Sequence, residues 1–101
     1  MVWAGDIAGK FMSGRKRNDL DDDLMLLFAV VRAIEIVGEA ASKAGRSTRA
    51  AAPDIPWPRI VSMRNRLIHG YSGIDSEIVW KTATDELPRL LPKLRQLLVM
   101  G

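Results

Sequence analysis

Apolar residues recur at helical spacing along most of the chain, and no stretch alternates apolar and polar residues as a half-buried strand does. The strongest pattern runs from Leu20 to Ala44, which is apolar almost all round apart from one narrow charged stripe of Arg32, Glu35, Glu39 and Lys43. A helix of this kind is buried on several sides. Glu39 and Lys43 are spaced for a favourable pair, whereas Glu35 and Glu39 repel weakly. Positive groups from elsewhere are therefore expected to meet the stripe, and Arg64 is one candidate.

The segments on either side of this helix are weaker. Residues 2–13 have apolar residues every four positions and predict a short first helix, which two glycines weaken. The stretch Gly45–Trp57 contains several prolines and polar residues, and it predicts a loop in which Trp57 fills the core.

The last third of the chain predicts three more helical segments. Pro58 suits the first turn of a helix that runs to about His69 and stops at Gly70. A second helix, capped by Asp75 or Ser76, covers 77–87, and Pro88 marks a kink or a break after it. The final segment has one apolar face of Leu87, Leu90, Leu91, Leu94, Leu97 and Leu98. Together the elements predict an all-α fold, an up-and-down bundle of four to five helices.

Composition limits the kinds of protein this can be. A length of 101 residues, with 48% apolar and 27% charged residues, predicts one globular domain over residues 1–101. The chain has no cysteine and one histidine, so we expect neither a protein-built metal site nor a cofactor. There is no apolar run of roughly 20 residues and no signal peptide, which predicts a cytoplasmic protein without membrane segments.

Charge gives a weak indication of the partner. The formal net charge is +3, which mildly favours a polyanion. A basic cluster of Lys10, Arg15, Lys16 and Arg17 could touch RNA phosphates, although such a run is more often a solvated loop.

The stretch Met63–Tyr71 carries the candidate chemistry, because it holds the only histidine and the only tyrosine of the chain. Arg64 falls near the middle of an apolar arc on the predicted helix, where a charge must be paired or must hold an anion. On an ideal helix Arg64 and His69 lie about 140° apart. They converge only if the helix frays at Gly70 or if a second subunit completes the site.

Several blocks of this sequence resemble the HEPN superfamily, and within it the HepT-like toxin ribonucleases of prokaryotic toxin–antitoxin pairs. Arg64, four intervening residues, His69, one residue and Tyr71 match the signature of that family. The similarity covers roughly residues 12–100 in the family's usual order and spacing, through the blocks 34–41, 55–57, 63–71, 75–80 and 85–88. HepT-like proteins usually open with a longer first helix, so the first helix here is expected to be shortened.

The resemblance implies a homodimeric, metal-independent endoribonuclease that cuts tRNA or mRNA. It implies that Arg64 and His69 lie at a shared cleft, and it favours a place for Glu39 beside them. It also implies that an MntA-like nucleotidyltransferase antitoxin adds AMP to Tyr71.

Residue chemistry agrees with these roles. His69 has an ordinary pKa suited to acid–base catalysis near neutral pH, and Arg64 can fork onto a phosphate. Asn65 supplies a neutral donor, and Arg66 projects from the polar side as a possible RNA contact. One histidine cannot comfortably act as base and acid at once, which favours a twofold dimer. Two alternatives are a catalytically silent HEPN dimer that binds a nucleotidyltransferase, and a purely structural helical dimer.

Overall fold

The structure is a computed structural model that describes residues 2–67 and 73–100, with side chains described as far as residue 96. Within these residues seven α-helices and one π-helical turn follow one another along the chain. Their bounds are α1 Val2–Met12, α2 Asp19–Asp22, α3 Leu24–Ser42, α4 Arg46–Ala51, α5 Trp57–Leu67, α6 Ser76–Lys81, the π turn Thr82–Glu86 and α7 Leu87–Met100. The predicted all-α class is confirmed.

Helix α3 is the centre of the fold, and α1 and α5 pack against it. Its inward residues are almost completely buried and belong to one core: Leu26, Leu27, Val30, Val31, Ala33, Ile34, Val37 and Ala41. This confirms the helix predicted to be buried on several sides. The central position of α3 means that residues of α1 and α5 that face it lie in the interior of the fold.

The predicted start of this helix at Leu20 is wrong, because the backbone breaks at Asp23. Asp23 is extended, with φ −122° and ψ 95°, and its side chain accepts a hydrogen bond from the Leu26 amide at 3.1 Å. Asp23 therefore caps α3, since its carboxylate satisfies an amide that has no partner within the helix. Leu20 is fully buried in the separate short helix α2.

The segment Gly45–Trp57, predicted to be a loop, contains helix α4. Gly45 precedes this helix, and its residues are helix formers placed before Pro53. From α4, Arg49 donates to the carbonyl oxygens of Ala41 at 3.0 Å and Ala44 at 3.1 Å, at the end of α3. The Arg49 guanidinium also lies 5.9 Å from the centroid of the Trp57 ring. Trp57 is buried, as predicted.

The chain is helical from Ser76 to Met100, so of the two alternatives predicted at Pro88, a kink or a break, the break is wrong. Asp75 caps α6, as predicted, by accepting hydrogen bonds from the amides of Glu77 and Ile78. The π turn then leads into α7, and the Leu87 amide donates to the Thr82 carbonyl oxygen five residues earlier. Pro88 has no amide hydrogen to donate, and it comes directly after the π turn, where the backbone bonding has already changed from the fourth to the fifth preceding residue.

The apolar face predicted for the last segment is confirmed where side chains are described. Leu87, Leu90 and Leu94 are buried, and Leu91 packs against the core. The side chains of Leu97 and Leu98 lie outside the described part. Arg95 of α7 is ion-paired with Asp6 of α1, which links the first and the last helix of the chain.

A polar cluster joins the segment before α2 to the start of α6. The Arg17 guanidinium donates to Glu77 at 2.7 Å, to Asp21 at 2.9 Å and to the Ser76 hydroxyl at 3.1 Å. That hydroxyl donates to Asp21 at 2.7 Å. The hydrogen bond to Glu77 is the main cause that raises the pKa of Arg17, while the bonds from Ser76 and then Arg17 lower the pKa of Asp21. In the ranges 2–67 and 73–100, no helix is long and apolar enough to cross a membrane.

Candidate active site around Arg64

Helix α5 carries the described part of the candidate site. Ile60, Met63 and Leu67 face the core and are almost fully buried, as the predicted apolar arc requires. Arg64 is half-buried at the edge of this arc. The helix therefore places a charged side chain beside the core instead of in open solvent.

Arg64 packs directly on Gly38 of α3. A Cβ atom built on Gly38 would lie 2.7 Å from the Arg64 Cβ, closer than two carbon atoms can normally approach, and 3.4 Å from its Cγ and Cδ. The hydrogen of glycine leaves the space that the aliphatic stem of Arg64 occupies. The contact with the backbone of α3 thus fixes the position of the aliphatic part of the Arg64 side chain, from which the guanidinium extends.

The Arg64 side chain makes no hydrogen bond or ion pair with any described residue. The expectation that Arg64 meets Glu35 or Glu39 is therefore wrong within this part of the chain. Glu39 instead contacts Lys43 one turn later, at 3.5 Å, which confirms the predicted pair. Its stem is held against Gly38, and its guanidinium has donors that no described residue uses.

Asn65 and Arg66 are exposed on the outer side of α5. The Arg66 guanidinium is 3.2 Å from the Glu86 carboxylate, and Arg59 lies 3.7 Å from the other oxygen of the same group. Arg66 follows Arg64 by about 200° around the helix, so the two arginines point to different sides. Arg66 is exposed, as predicted, but its guanidinium is already paired with Glu86.

The predicted residues His69 and Tyr71 lie outside the described part of the chain, and so does the predicted helix end at Gly70. The residues that flank this part are described. The Asp75 amide donates to the Leu67 carbonyl oxygen at 3.2 Å, which brings the end of α5 to the start of α6. Gly73 has φ +98°, a conformation that favours glycine. The described residues on either side of 68–72 therefore lie close together, at the last described turn of α5.

Sequence reasoning missed the role of Gly38. Gly38 falls within the block 34–41 that resembles the HEPN superfamily, and Glu39 is the residue of that block predicted to lie beside the site. A glycine inside a strong helical pattern costs about 1 kcal/mol relative to alanine, and it often marks a close approach of two elements. That signal was present in the sequence, but the identity of the approaching residue was not.

The sequence matches the family described as Ribonuclease HepT-like over residues 1–97. The chain belongs to the ribonuclease HepT-like family. The matched range contains the whole described site, including Gly38, Arg64 and Arg66.

Curated relatives support membership of the ribonuclease HepT-like family. A protein of Thermococcus cleftensis named "Probable ribonuclease HepT" is 41% identical over 70 residues, which is 69% of this chain and 64% of that protein. A protein of Methanocaldococcus jannaschii whose name gives it as a candidate RNase is 38% identical over 73 residues, 72% of this chain and 67% of its own length. A similarly named protein of Caldanaerobacter subterraneus is 34% identical over 87 residues, 86% of this chain and 78% of that protein.

This HepT-like chain therefore matches about two thirds of the length of its first two relatives. Among solved structures, none matches it significantly.

Proposed function

We propose that this protein is a metal-independent endoribonuclease that acts as the toxin of a toxin–antitoxin pair. The observation that carries the proposal is the half-buried Arg64, seated on Gly38 and without a side-chain partner among the described residues, in the stretch Arg64-x4-His69-x-Tyr71. Membership of the ribonuclease HepT-like family supports RNA as the substrate. On this proposal residues 1–101 form a single HEPN-like domain that works in the cytoplasm.

RNA carries its own nucleophile, so the protein needs a base, an acid and charge stabilisation. In the proposed reaction a base removes the proton of the ribose 2′-OH, and the 2′ oxygen forms a bond to phosphorus. The bond from phosphorus to the 5′ oxygen breaks, and an acid protonates that leaving oxygen. The products are a 2′,3′-cyclic phosphate and a 5′-hydroxyl, with no change in oxidation state.

Each proposed residue has one task in this reaction. Arg64 donates two hydrogen bonds to the phosphate and stabilises the charge that develops there. His69 transfers protons, because an imidazole is suited to acid–base catalysis near neutral pH. Asn65 adds a neutral donor at the edge of the site. Glu39, the residue after Gly38 in α3, has a supporting role beside the site.

A homodimer would supply the second proton-transfer group. The first half of α3 exposes Leu24, Met25 and Phe28, with Met25 84% exposed and Leu24 61%. A contiguous apolar surface of this kind is typical of an interaction site. Farther along, Arg32 and the half-buried Glu35 lie on the same face, without ion pairs to described residues. Opposite charges on one face can pair reciprocally across a twofold axis, which favours a second copy of this chain as the occupant.

Tyr71 is the proposed point of control by the antitoxin. A cognate nucleotidyltransferase would transfer AMP from ATP to the tyrosine hydroxyl, which forms a phosphodiester and releases pyrophosphate. The added phosphate lies seven residues along the chain from Arg64 and carries negative charge. It would compete with substrate phosphate for the arginine and exclude RNA by charge and by volume.

The test of this function is cleavage of labelled RNA by the purified protein in the presence of EDTA, with mapping of the product ends. Products that end in a 2′,3′-cyclic phosphate support the proposal. A dimer that binds its nucleotidyltransferase but leaves RNA intact would instead establish the alternative, a catalytically silent HEPN partner.

A further inference from the structure

We propose that the groove between α5 and the π turn with α7 is a second RNA contact, which holds one nucleotide of the substrate away from the scissile phosphate. The groove lies on the side of α5 that carries Arg59 and Met63, whereas Arg64 faces α3. The proposal rests on the proposed ribonuclease function and adds a second site at which the protein contacts the RNA strand.

The floor of the groove is apolar. Ile60 and Met63 of α5 and Leu90 of α7 line it, and all three are buried in the core. The groove encloses about 190 Å³. This is smaller than the roughly 300–1,000 Å³ of pockets that bury a whole drug-sized ligand, so it suits a single ring and not a helix or a folded segment.

The rim of the groove is basic. Arg59, Arg89 and Lys93 surround the floor, and Arg66 adjoins them through its contact with Glu86. Of the residues that line the groove, three are cations and two, Asp85 and Glu86, are carboxylates. The local excess of positive charge favours an anion.

The existing ion pairs leave donors available. Glu86 is shared by two arginines, and the 3.7 Å separation from Arg59 is too long for a hydrogen bond. Lys93 donates to the Asp54 carbonyl oxygen at 3.4 Å and pairs with no carboxylate in the described residues. Arg89 is engaged by Asp85 at 2.9 Å. Arg59 and Lys93 are therefore the two cations best placed to bind a phosphate.

An apolar floor inside a cationic rim matches the chemistry of a nucleotide. The base would lie over Met63 and Leu90, and the planar guanidinium of Arg59 could stack on it or bind the adjoining phosphate. Contacts to a phosphate and to the face of a base give affinity without reading the sequence. Arg59 and Arg64 are separated by about 7.5 Å along the α5 axis and by about 140° around it, so the two sites lie within reach of neighbouring nucleotides of one strand.

Binding can be measured without cleavage by using a fluorescein-labelled single-stranded RNA with 2′-O-methyl riboses, which lacks the nucleophile. The double variant Arg59→Gln/Lys93→Gln should raise the Kd about tenfold and reduce the slope of log K against log salt by about one to two. The control is Arg46→Gln, which removes one charge, against two in the double variant, from an exposed residue of α4 outside the groove. It should change the Kd less than twofold, and thermal unfolding should show that all variants are folded.

Three results would overturn the groove as an RNA contact. The first is parental affinity and salt slope in the double variant, and the second is an equal loss of affinity in Arg46→Gln. The third is that the double variant loses as much affinity for a polyglutamate peptide as for RNA, or more. That result would make the groove a site for acidic protein segments. Cleavage of unmodified RNA by the parent protein is scored separately. If cleavage persists while the groove variants bind normally, only the second contact fails, whereas loss of both cleavage and binding in the parent rejects the ribonuclease function itself.

Discussion

The Cβ atom of Arg64 lies where a side chain at Gly38 would have to be, 2.7 Å from the position that a Cβ on Gly38 would take. Two helices thus meet through one glycine and one arginine stem. Because the contact uses the first carbon of the arginine side chain, it fixes the helix as well as the side chain. The candidate site depends on this contact for the position of its cation.

Replacing Gly38 with alanine should weaken the fold slightly and impair RNA cleavage more. Overpacking costs about 1–3 kcal/mol, and about 0.5–1 kcal/mol returns from better helix propensity, so the free energy of unfolding should fall by about 1 kcal/mol. Cleavage should fall at least tenfold, because a displacement of about 1 Å in an active site can cost about 100-fold. Chemical denaturation and a cleavage assay measure the two effects.

Gly9→Ala is the matched control, since Gly9 lies in α1 with no atom within 4 Å of an added Cβ. It should raise the free energy of unfolding by about 0.5–1 kcal/mol and leave cleavage unchanged. If Gly38→Ala stabilises the protein equally and cuts RNA at the parental rate, the glycine does not position Arg64.

Removing the Ser76 hydroxyl should destabilise the protein in a pH-dependent way. The hydrogen bond from Ser76, followed by that from Arg17, holds the pKa of Asp21 below its ordinary value. A lowered folded pKa means that stability is gained above the unfolded value of about 3.9 and is lost as the pH falls through the folded value. The raised pKa of Arg17 changes nothing in this range, because a guanidinium is charged throughout it.

Denaturant unfolding of Ser76→Ala should therefore show a deficit relative to the parent at pH 7 that narrows below pH of about 4. Ser47→Ala, at an exposed serine of α4, is the control and should show no such pH dependence. A deficit of constant size down to pH of about 2 would mean that the Asp21 carboxylate does not contribute through this hydrogen bond.

A charge on the exposed face of α3 should separate the proposed dimer. Met25→Glu places a carboxylate on the apolar surface formed with Leu24 and Phe28, and burying it without a partner is costly. Light scattering should give a dimer mass for the parent and a monomer mass for the variant. Ala50→Glu, at an exposed position of α4, should remain dimeric. A monomeric parent protein would reject both the dimer and the shared site.

Co-expression with a neighbouring nucleotidyltransferase should add mass to the chain in steps of one AMP. The tyrosine hydroxyl is the expected acceptor, so Tyr71→Phe should abolish the addition while the protein remains folded. Intact mass spectrometry measures the steps. Addition that survives Tyr71→Phe would assign the modification to another residue, and its complete absence in the parent would remove Tyr71 from the regulatory site.

The sequence carried the architecture well where one strong pattern dominated. The apolar surface of α3 and the leucine face of α7 were both readable from spacing, because helical periodicity reports directly which positions can share a buried face. The burial of Trp57 also followed from its apolar size in a proline-rich segment.

The errors arose where local signals were ambiguous. Four aspartates in 19–23 could each cap a helix, and the extended backbone of Asp23 is what separates α2 from α3. Pro88 predicted a kink or a break, and the structure has a π turn directly before it and no break in the helix. The partner of Arg64 was expected among the acidic residues of α3, whereas the contact is a glycine, which no charge pattern can reveal.

Cleavage of labelled RNA in EDTA by the parent, His69→Ala and Arg64→Gln tests the proposed catalytic pair most directly. Glutamine retains the Cβ, Cγ and Cδ atoms that pack on Gly38, so Arg64→Gln removes the charge and keeps the contact. The parent should cut without a metal, while His69→Ala should lose about 10²–10⁴-fold and Arg64→Gln about 10²–10³-fold in rate. Arg46→Gln, the charge-matched control, should cut at the parental rate. Parental cleavage by either active-site variant, or complete inhibition of the parent by EDTA, would contradict the proposed mechanism.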